Sequence, residues 1–191
     1  MILEEKTMKT EKLYEGRILN LRVDTVELSN KKYSKREIIE QKPAVVIIAL
    51  DEEENVLLVR QYRKAVDKVL VELPAGKMEV GEDPLTSAHR ELREETKFDA
   101  REMEFLFDSF ASPGYTDEVM NYFLATDLYF SPLEQDADEN VEMIKVPLKT
   151  IINEIDTYQI MDNKSIASLM YIYLKRRKTT QIGRASCRER V

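Results

Sequence analysis

Residues 76–98, GKMEVGEDPLTSAHRELREETKF, constrain the fold more than any other stretch of the chain. The Asp-Pro pair at 83–84 predicts the start of a helix, because an aspartate caps the first backbone N–H groups and a proline suits the first turn. In that helix Glu91 and Glu95 lie one turn apart on the same face, with Glu94 beside them. The spacing therefore predicts an acidic helix that gathers three carboxylates.

Carboxylates gathered in this way repel one another, at a cost of about 0.2–0.5 kcal/mol per pair even on an exposed helix. A hard divalent cation reverses that cost, and oxygen ligands of this kind suit Mg²⁺ or Mn²⁺. The alternative is a solvated acidic helix with ion pairs four residues apart, which an arbitrary stretch rich in Glu and Arg would favour. Six positions in register, preceded by E-L-P-A-G, favour the metal site.

The six positions follow the spacing G-x5-E-x7-R-E-U-x-E-E, where U is apolar, and they are Gly76, Glu82, Arg90, Glu91, Glu94 and Glu95. This pattern resembles the Nudix box, which in that family binds the metal and cleaves nucleoside diphosphates linked to another moiety. The usual second glycine of the box, which ends the helix in a left-handed conformation, is Lys97 here. We therefore expect a changed helix stop and unaltered metal-binding positions.

The resemblance covers roughly residues 5–176 and points to the ADP-ribose pyrophosphatase branch of the family. Outside the box it rests on V-R-Q-Y-R (59–63), E-L-P-A-G-K (72–77), S-P-G-Y-T-D-E (112–118), D-E-N-V-E (138–142) and D-N-K-S (162–165). In that branch a proline follows the box by about fifteen residues, and Pro113 follows Phe98 by fifteen. The resemblance implies hydrolysis of ADP-ribose to AMP and ribose 5-phosphate by a homodimer whose N-terminal strands exchange or pack between subunits.

For the metal, the resemblance implies Glu91 and Glu95 as main ligands and Glu94 as a further or shared one. It adds the backbone carbonyl of Ala75, and a small residue followed by Gly76 would let the backbone approach an ion closely. The expected ion is Mg²⁺, with Mn²⁺ as a substitute.

Two other box residues, Arg90 and Glu82, are expected to support this site. An arginine beside the glutamates orients them through charge-assisted hydrogen bonds. Glu82 can hold that arginine in place, which is a structural role rather than metal ligation.

The resemblance places the general base in an acidic loop late in the chain, here EQDADENVEM (134–143). Glu139 is the best match and Glu142 the second, and Glu94 of the box is a third candidate catalytic carboxylate. Composition alone fits an acidic surface turn, so both interpretations of the loop stay open at this stage.

Four residues outside the box match substrate contacts of the family. Arg63 aligns with an arginine near the diphosphate, and a guanidinium can bind phosphate through two parallel hydrogen bonds. Arg36 matches an arginine near the adenine that the partner subunit supplies, although an exposed strand arginine is an equally good interpretation. Ser112 and Glu118 match positions that line the terminal ribose.

Net charge and hydropathy limit the partners. The charge of −7 disfavours nonspecific nucleic-acid binding, which needs clusters of Lys and Arg. No apolar run approaches the ~20 residues of a membrane span, and the start MILEEKTMKTEK lacks the apolar core of a secretory signal. We therefore expect a cytoplasmic protein that binds neither nucleic acid nor membrane.

Hydrophobic patterning predicts an α/β (α+β) fold, the Nudix fold, in which a mixed sheet lies between helices and follows an N-terminal antiparallel β segment. The continuous apolar run AVVIIAL (44–50) suits a central strand. The other predicted strands are 12–15, 19–28, 35–41, 56–62, 69–73, 102–109 and 119–125, and the predicted helices are 84–96, 147–157 and 164–176. The predicted domains are a β segment and dimerisation arm (1–42), a catalytic domain (43–180) and a non-native tail (182–191).

The tail, IGRASCRERV, can be back-translated as ATCGGAAGAGCGTCGTGTAGGGAAAGAGTG, which looks like a widely used sequencing-adapter sequence. We expect a natural reading frame that runs into adapter DNA, and the alternative is a genuine basic tail. Sequencing the locus with independent primers distinguishes them, because a chromosomal copy of this segment rules out the adapter. Cys187 in the tail is the only cysteine and His89 the only histidine, so carboxylates are left to perform the chemistry.

Two other functions compete with ADP-ribose hydrolysis. The first is a Nudix diphosphatase for other nucleotide sugars, dinucleotides or oxidised nucleotides, which a substrate panel distinguishes. The second is a sensor that binds ADP-ribose without cleaving it. The intact acidic residues of the box argue against the sensor.

Overall fold

The computed structural model describes residues 4–135, 140–157 and 159–188, with side chains described as far as residue 177. Within these ranges the chain forms two β-sheets and three α-helices. The strands are β1 (Lys6–Glu15), β2 (Asn20–Glu27), β3 (Tyr33–Glu40), β4 (Ala44–Leu50), β5 (Asn55–Arg63), β6 (Lys68–Glu72), β7 (Ala75–Lys77), β8 (Phe98–Phe110), β9 (Val119–Phe130) and β10 (Val141–Pro147). The helices are α1 (Pro84–Thr96), α2 (Ile151–Asp156), which follows a short 3₁₀ helix (Leu148–Thr150), and α3 (Asn163–Arg188).

The larger sheet is mixed and carries helices on both faces. Its main path runs β10-β5-β4-β9-β8, with β6 paired to β5 and β7 paired to β4. The pairing of β4 with β9 is parallel, and the other pairings are antiparallel. This arrangement confirms the predicted fold class.

Strand β4 is the centre of the core because every one of its residues is buried. Successive side chains of a strand point to opposite faces. Its odd-numbered positions from 45 to 49 pack with Ala88 and Leu92 of α1, whereas its even-numbered positions from 46 to 50 pack with Leu169 and Ile172 of α3. One continuous apolar strand thus fixes the acidic helix on one side of the sheet and α3 on the other.

The smaller sheet is antiparallel, in the order β1-β2-β3. It joins the larger unit at the end of β3, where the Ile39 N–H donates to the carbonyl of Tyr115 at 2.8 Å. A further backbone bridge pairs Ile39 with Thr116. The N-terminal sheet therefore reaches the S-P-G-Y-T-D-E segment directly.

The acidic helix begins as predicted, but its end differs from the expectation. Asp83 accepts hydrogen bonds from the N–H groups of Leu85 and Thr86, each at 3.1 Å. Lys97 adopts the left-handed conformation, with φ 70° and ψ 7°, and its N–H donates to the carbonyl of Arg93. The expected change of the helix stop is therefore wrong, because Lys97 takes the conformation that a glycine would take, at some steric cost.

Several elements differ from their predicted extents. β7 was not predicted, since three residues are too few to show a period. β10 occupies the end of the predicted acidic loop (134–143), which was wrong for residues 141–143 because they pair with β5. The predicted helix 147–157 is a 3₁₀ turn followed by the short α2.

Two further expectations concern membrane-spanning segments and the tail of the chain. None of the helices in the described ranges is both long and apolar enough to cross a membrane. The side chains of the predicted non-native tail (182–191) lie outside the described residues, so the origin of this tail stays a prediction.

Candidate active site

The box helix and strand β7 meet where Gly76 faces the carboxylate of Glu91. A Cβ built on Gly76 would lie 2.1 Å from Cδ and Oε1 of Glu91, far inside van der Waals contact. Glu91 itself is only 6% exposed. The missing side chain at position 76 therefore provides the space that this carboxylate occupies.

Arg90 binds three glutamates of the box at once. Its Nε and Nη2 donate to the two carboxylate oxygens of Glu82 at 3.0 and 2.9 Å. Its Nη1 donates both to Oε1 of Glu91 at 2.7 Å and to Oε2 of Glu94 at 3.0 Å. The predicted contact between Glu82 and Arg90 is thus formed, and the guanidinium offsets the repulsion between the carboxylates.

These contacts shift the pKa of both members of the Arg90–Glu82 pair. The hydrogen bond from Arg90 is the largest cause that lowers the pKa of Glu82 from 4.5 to about 2, while partial burial opposes it. The same hydrogen bond raises the pKa of Arg90 above its ordinary value. The pair therefore stays ionised at every pH near neutrality.

Glu95 is held from the other side, by the backbone of β7. The Ala75 N–H donates to Oε2 of Glu95 at 3.0 Å, and Ala75 pairs with Val46 of the central strand. Glu95 is only 4% exposed. A carboxylate and a backbone unit that the resemblance assigns to one metal site are therefore neighbours in the fold.

The donor set fits a hard divalent cation, although the side chains are held by protein contacts. Within the part of the chain whose side chains are described, no three acidic, histidine or cysteine side chains converge on a ready-made metal position. Glu91 and Glu94 meet at Nη1 of Arg90 instead, each through one oxygen. Carboxylate and carbonyl oxygens are the ligands that Mg²⁺ prefers, and the space beside Gly76 admits the carboxylate close to the backbone.

Arg63 lies at the end of β5 and forms a two-bond ion pair with Glu72. The distances are 2.8 Å from Nε and 2.9 Å from Nη2 to the two carboxylate oxygens. This hydrogen bond raises the pKa of Arg63, and the charge of Glu95 adds to the rise. Arg63 therefore lies within electrostatic reach of the box, with 40% of its side chain exposed.

Sequence reasoning missed the roles of Glu72 and Lys164. The Glu72 side chain is 3% exposed and accepts a second cationic hydrogen bond, from Lys164 at the start of α3. Burial alone would raise the pKa of Glu72, but the hydrogen bonds and charges of Arg63 and Lys164 outweigh it and lower that pKa. Glu72 belongs to the E-L-P-A-G-K motif and Lys164 to the D-N-K-S motif. Their presence in these two motifs was the one sequence signal that could have indicated a role for them.

The start of α3 is also fastened to the backbone before β7. The buried Ser165 hydroxyl accepts from the Leu73 N–H at 2.7 Å. Asp162 accepts from the Ser165 N–H at 3.0 Å and from Lys164 at 2.8 Å. The E-L-P-A-G-K and D-N-K-S segments, ninety residues apart in the chain, therefore form one structural unit.

Of the two predicted ribose contacts, Glu118 contacts β7 and Ser112 lies in the turn that leads to it. Glu118 accepts a hydrogen bond from Lys77, which also donates to Gln41 at 2.6 Å. Ser112 turns the backbone by accepting N–H bonds from Tyr115 and Thr116, both at 3.1 Å. The pairing of Glu118 with Lys77 was not predicted, because residues 77 and 118 lie far apart in the sequence.

Arg36 is placed on the smaller sheet, in β3. Its Nε donates to Glu5 at 2.9 Å, and its Nη1 donates to Ser34 at 2.9 Å. The structure thus groups Arg36 with Glu5, just before β1, rather than with the box residues of the same chain. Its predicted contact with adenine across a dimer stays a prediction.

Two of the three candidate bases, Glu142 and Glu94, lie within the described residues. Glu139, the preferred candidate, lies outside the described residues. Glu142 lies in β10 rather than in a loop, with a side chain 70% exposed and 3.5 Å from Arg60. Glu94 is held by Arg90 beside the box. The assignment of the base stays a prediction.

His89, the only histidine of the sequence, fastens the box helix to β8. Its Nδ1 contacts the Asp99 carboxylate, which also accepts from the Tyr129 hydroxyl at 3.0 Å. Burial of Asp99 favours a higher pKa, but these hydrogen bonds outweigh it and lower the pKa. The contact holds α1 in place on the side of the helix near the sheet edge.

Comparisons with known families match almost the whole described chain. A family model of the NUDIX domain matches residues 40–169. A second model, the nucleoside diphosphate sugar hydrolase N-terminal domain, matches residues 5–39. The boundary between the two matches falls at the end of β3.

Individual proteins also match most of the chain. The chain is 42% identical over 178 residues to a methanol dehydrogenase activator from Bacillus methanolicus, covering 91% of this chain and 95% of that one. It is 39% identical over 177 residues to an ADP-ribose pyrophosphatase from Bacillus subtilis (strain 168), with the same coverages. The crystal structure of an ADP compounds hydrolase superimposes with a TM-score of 0.83 at 22% identity, covering 95% of this chain and 97% of that chain. This last likeness shows the fold.

Replacing Gly76 with alanine should displace the Glu91 carboxylate. We expect the Mg²⁺ concentration for half-maximal activity to rise about tenfold or more, because supporting contacts of metal ligands have effects of this size. Metal titration of the purified variant measures the shift. Gly114→Ala serves as the folding control, since a Cβ there meets nothing within 4 Å. An unchanged Mg²⁺ response in Gly76→Ala would contradict the role of this space.

The Arg90–Glu82 pair should make stability depend on pH in acid. Folding lowers the pKa of Glu82 from 4.5 to about 2, so its stabilising effect is complete above about pH 4.5 and is lost as the pH falls towards about 2. We expect the difference in unfolding free energy between wild type and Glu82→Gln to shrink over that interval. Urea denaturation at a series of pH values measures it, and a difference that is constant with pH would refute the assignment.

Proposed function

Since the chain belongs to the Nudix family, we propose that it is a Mg²⁺-dependent hydrolase that splits ADP-ribose into AMP and ribose 5-phosphate. The single observation that carries the proposal is the proximity of two units. Arg90 and Ala75 hold the box carboxylates, and Arg63, with its side chain 40% exposed, is paired through two hydrogen bonds to Glu72, close before Ala75 in the chain. A cation site and an arginine together can neutralise and orient the phosphates of a diphosphate.

The residues that would hold the metal are Glu91, Glu95, Glu94 and the carbonyl of Ala75. A divalent cation bound there lowers the pKa of a water molecule and neutralises charge on phosphate oxygens. Mg²⁺ is the expected ion, and Mn²⁺ has the same preference for oxygen ligands. Arg90 fixes the rotamers of Glu91 and Glu94, so that few side-chain rotations remain to be restricted when an ion binds.

The chemical step consists of the attack of a water oxygen on one phosphorus of the diphosphate. The bridging P–O bond breaks, its oxygen leaves with the other phosphate, and a carboxylate takes the proton of the water. Glu139 is the proposed base, with Glu142 and Glu94 as the other candidates. Arg63 binds the phosphate oxygens and orients them for in-line attack.

Two observations support the proposed specificity for ADP-ribose. A relative of 39% identity is named ADP-ribose pyrophosphatase. Glu118, proposed to line the terminal ribose, contacts Lys77 at the end of β7, and Ser112, proposed for the same role, lies in the same turn, which the Ala111 N–H closes by donating to the carbonyl of Glu118. A carboxylate there can accept hydrogen bonds from sugar hydroxyls.

We also propose a homodimer formed through the N-terminal sheet, with Arg36 of one subunit at the adenine of the other. The sheet exposes a set of large apolar side chains that a monomer leaves in water, namely Met8, Leu13, Tyr14 and Tyr33. Exposed apolar groups of this kind mark interaction surfaces. Sedimentation velocity should give twice the mass of the chain, and a monomer at micromolar concentration would refute the dimer.

Purified protein with Mg²⁺ should convert ADP-ribose to AMP and ribose 5-phosphate. Glu95→Gln should lower kcat about a hundredfold or more, because it removes a charged ligand. Chromatographic detection of AMP measures both. Glu102→Gln, on the exposed surface of β8, is the matched control and should behave as wild type.

The same chromatography on a panel of nucleotide sugars and dinucleotides, together with calorimetric binding of ADP-ribose, separates the competing functions. Faster cleavage of another nucleotide sugar or of a dinucleotide would reassign the substrate within the family. Tight binding of ADP-ribose without AMP formation would favour the sensor. Full activity of Glu95→Gln would contradict the proposed metal site.

A further inference from the structure

The contacts around Glu72 form a chain of four charged side chains that links α3 to the proposed phosphate site. Arg63 binds Glu72 through two hydrogen bonds. Lys164 binds the same carboxylate and also Asp162. Two acids and two bases therefore balance one another along a single path from the interior to the exposed face of Arg63.

Burial strengthens the electrostatic interactions among these four side chains. The side chains of Glu72 and Lys164 are 3% and 12% exposed, whereas that of Arg63 is 40% exposed. Charges away from water interact strongly because the surrounding dielectric is low. The charge of Glu72 is therefore shared between two cations, and the exposed one of them keeps part of its positive field.

The geometry points to Lys164 as a positioning residue for Arg63: it acts through the buried carboxylate of Glu72, keeps the guanidinium in place and leaves part of its positive field for a diphosphate. The proposal rests on the proposed function, in which Arg63 meets the substrate. Lys164 itself need not touch substrate, because its contacts are with Glu72 and Asp162.

Loss of the Lys164 ammonium would leave two acids facing one base. Glu72 would then hold Arg63 without competition, and the uncompensated Asp162 would add negative charge nearby. Both changes weaken the attraction of Arg63 for an anionic diphosphate. The effect should fall on substrate binding more than on the chemical step, since the contact with the diphosphate exists before and during reaction.

A double-mutant cycle tests this coupling. Lys164→Met should lower kcat/KM for ADP-ribose about tenfold, mainly through KM, while Lys164→Arg should recover most of the loss. In an Arg63→Gln background the same Lys164→Met change should have less than about a twofold effect, because the residue on which it acts is gone. An equal loss in both backgrounds would overturn the proposal, as would a failure of Lys164→Arg to restore the lowered KM.

A matched control and a second variant guard against effects on folding. Lys175→Met removes a lysine from the exposed face of the same helix, where it pairs with Glu104 at 3.0 Å, and it should retain wild-type kinetics. If Lys164→Met does not fold, Lys164→Gln goes through the same cycle with the same expected outcomes.

Binding of ADP separates this proposal from the proposed function. Isothermal titration calorimetry with ADP and Mg²⁺ needs no turnover, and Lys164→Met should weaken the affinity about tenfold whereas Lys164→Arg should not. If wild type does not cleave ADP-ribose but Lys164→Met still binds ADP more weakly than wild type and Lys164→Arg does not, the proposed function is wrong and the role of Lys164 is supported. Wild-type affinity in Lys164→Met, or no binding of ADP by wild type, would overturn the role of Lys164.

Discussion

The hydrogen bonds of Arg90 to three glutamates are the interaction on which the site depends. Without a cation among them, Glu82, Glu91 and Glu94 would repel one another and separate. One guanidinium nitrogen joins Glu91 to Glu94, and the other donors hold Glu82. The acidic helix can therefore carry a dense negative charge within a folded protein, in rotamers that an ion can use.

The rest of the fold serves to keep this cluster against strand β7. The central strand β4 packs α1 on one face and α3 on the other, and β7 pairs with β4 at Ala75. On the α3 side, the Ser165 hydroxyl fixes the segment that leads into β7. The segment from Glu72 to Lys77 thus connects the two parts of the proposed diphosphate site, because Glu72 pairs with Arg63 and the Ala75 N–H holds Glu95 of the box.

Local sequence patterns predicted the strands and helices that have a clear hydrophobic pattern or a capping residue. Contacts between residues far apart in the sequence could not be predicted in this way. β4 is a run of seven apolar residues, and α1 has Asp83 and Pro84 at its start, so their bounds could be predicted from the sequence. The three-residue strand β7 has no period of its own and exists because β4 offers a partner. The ion pair of Glu72 with Lys164 joins residues ninety-two positions apart, which no spacing rule can reveal. The expected change of the helix end at Lys97 was wrong: Lys97 adopts the left-handed conformation that its side chain disfavours, and its carbonyl accepts a hydrogen bond from the distant Ser131 N–H at 3.0 Å.

The most direct test of the central claim is a crystal structure with Mg²⁺ and a nonhydrolysable ADP-ribose analogue. We expect an ion bound by Glu91, Glu95 and the carbonyl of Ala75, with the diphosphate between that ion and the guanidinium of Arg63. We also expect Arg36 of the partner subunit beside the adenine. A diphosphate bound away from the box helix, or an ion held by none of these glutamates, would contradict the account.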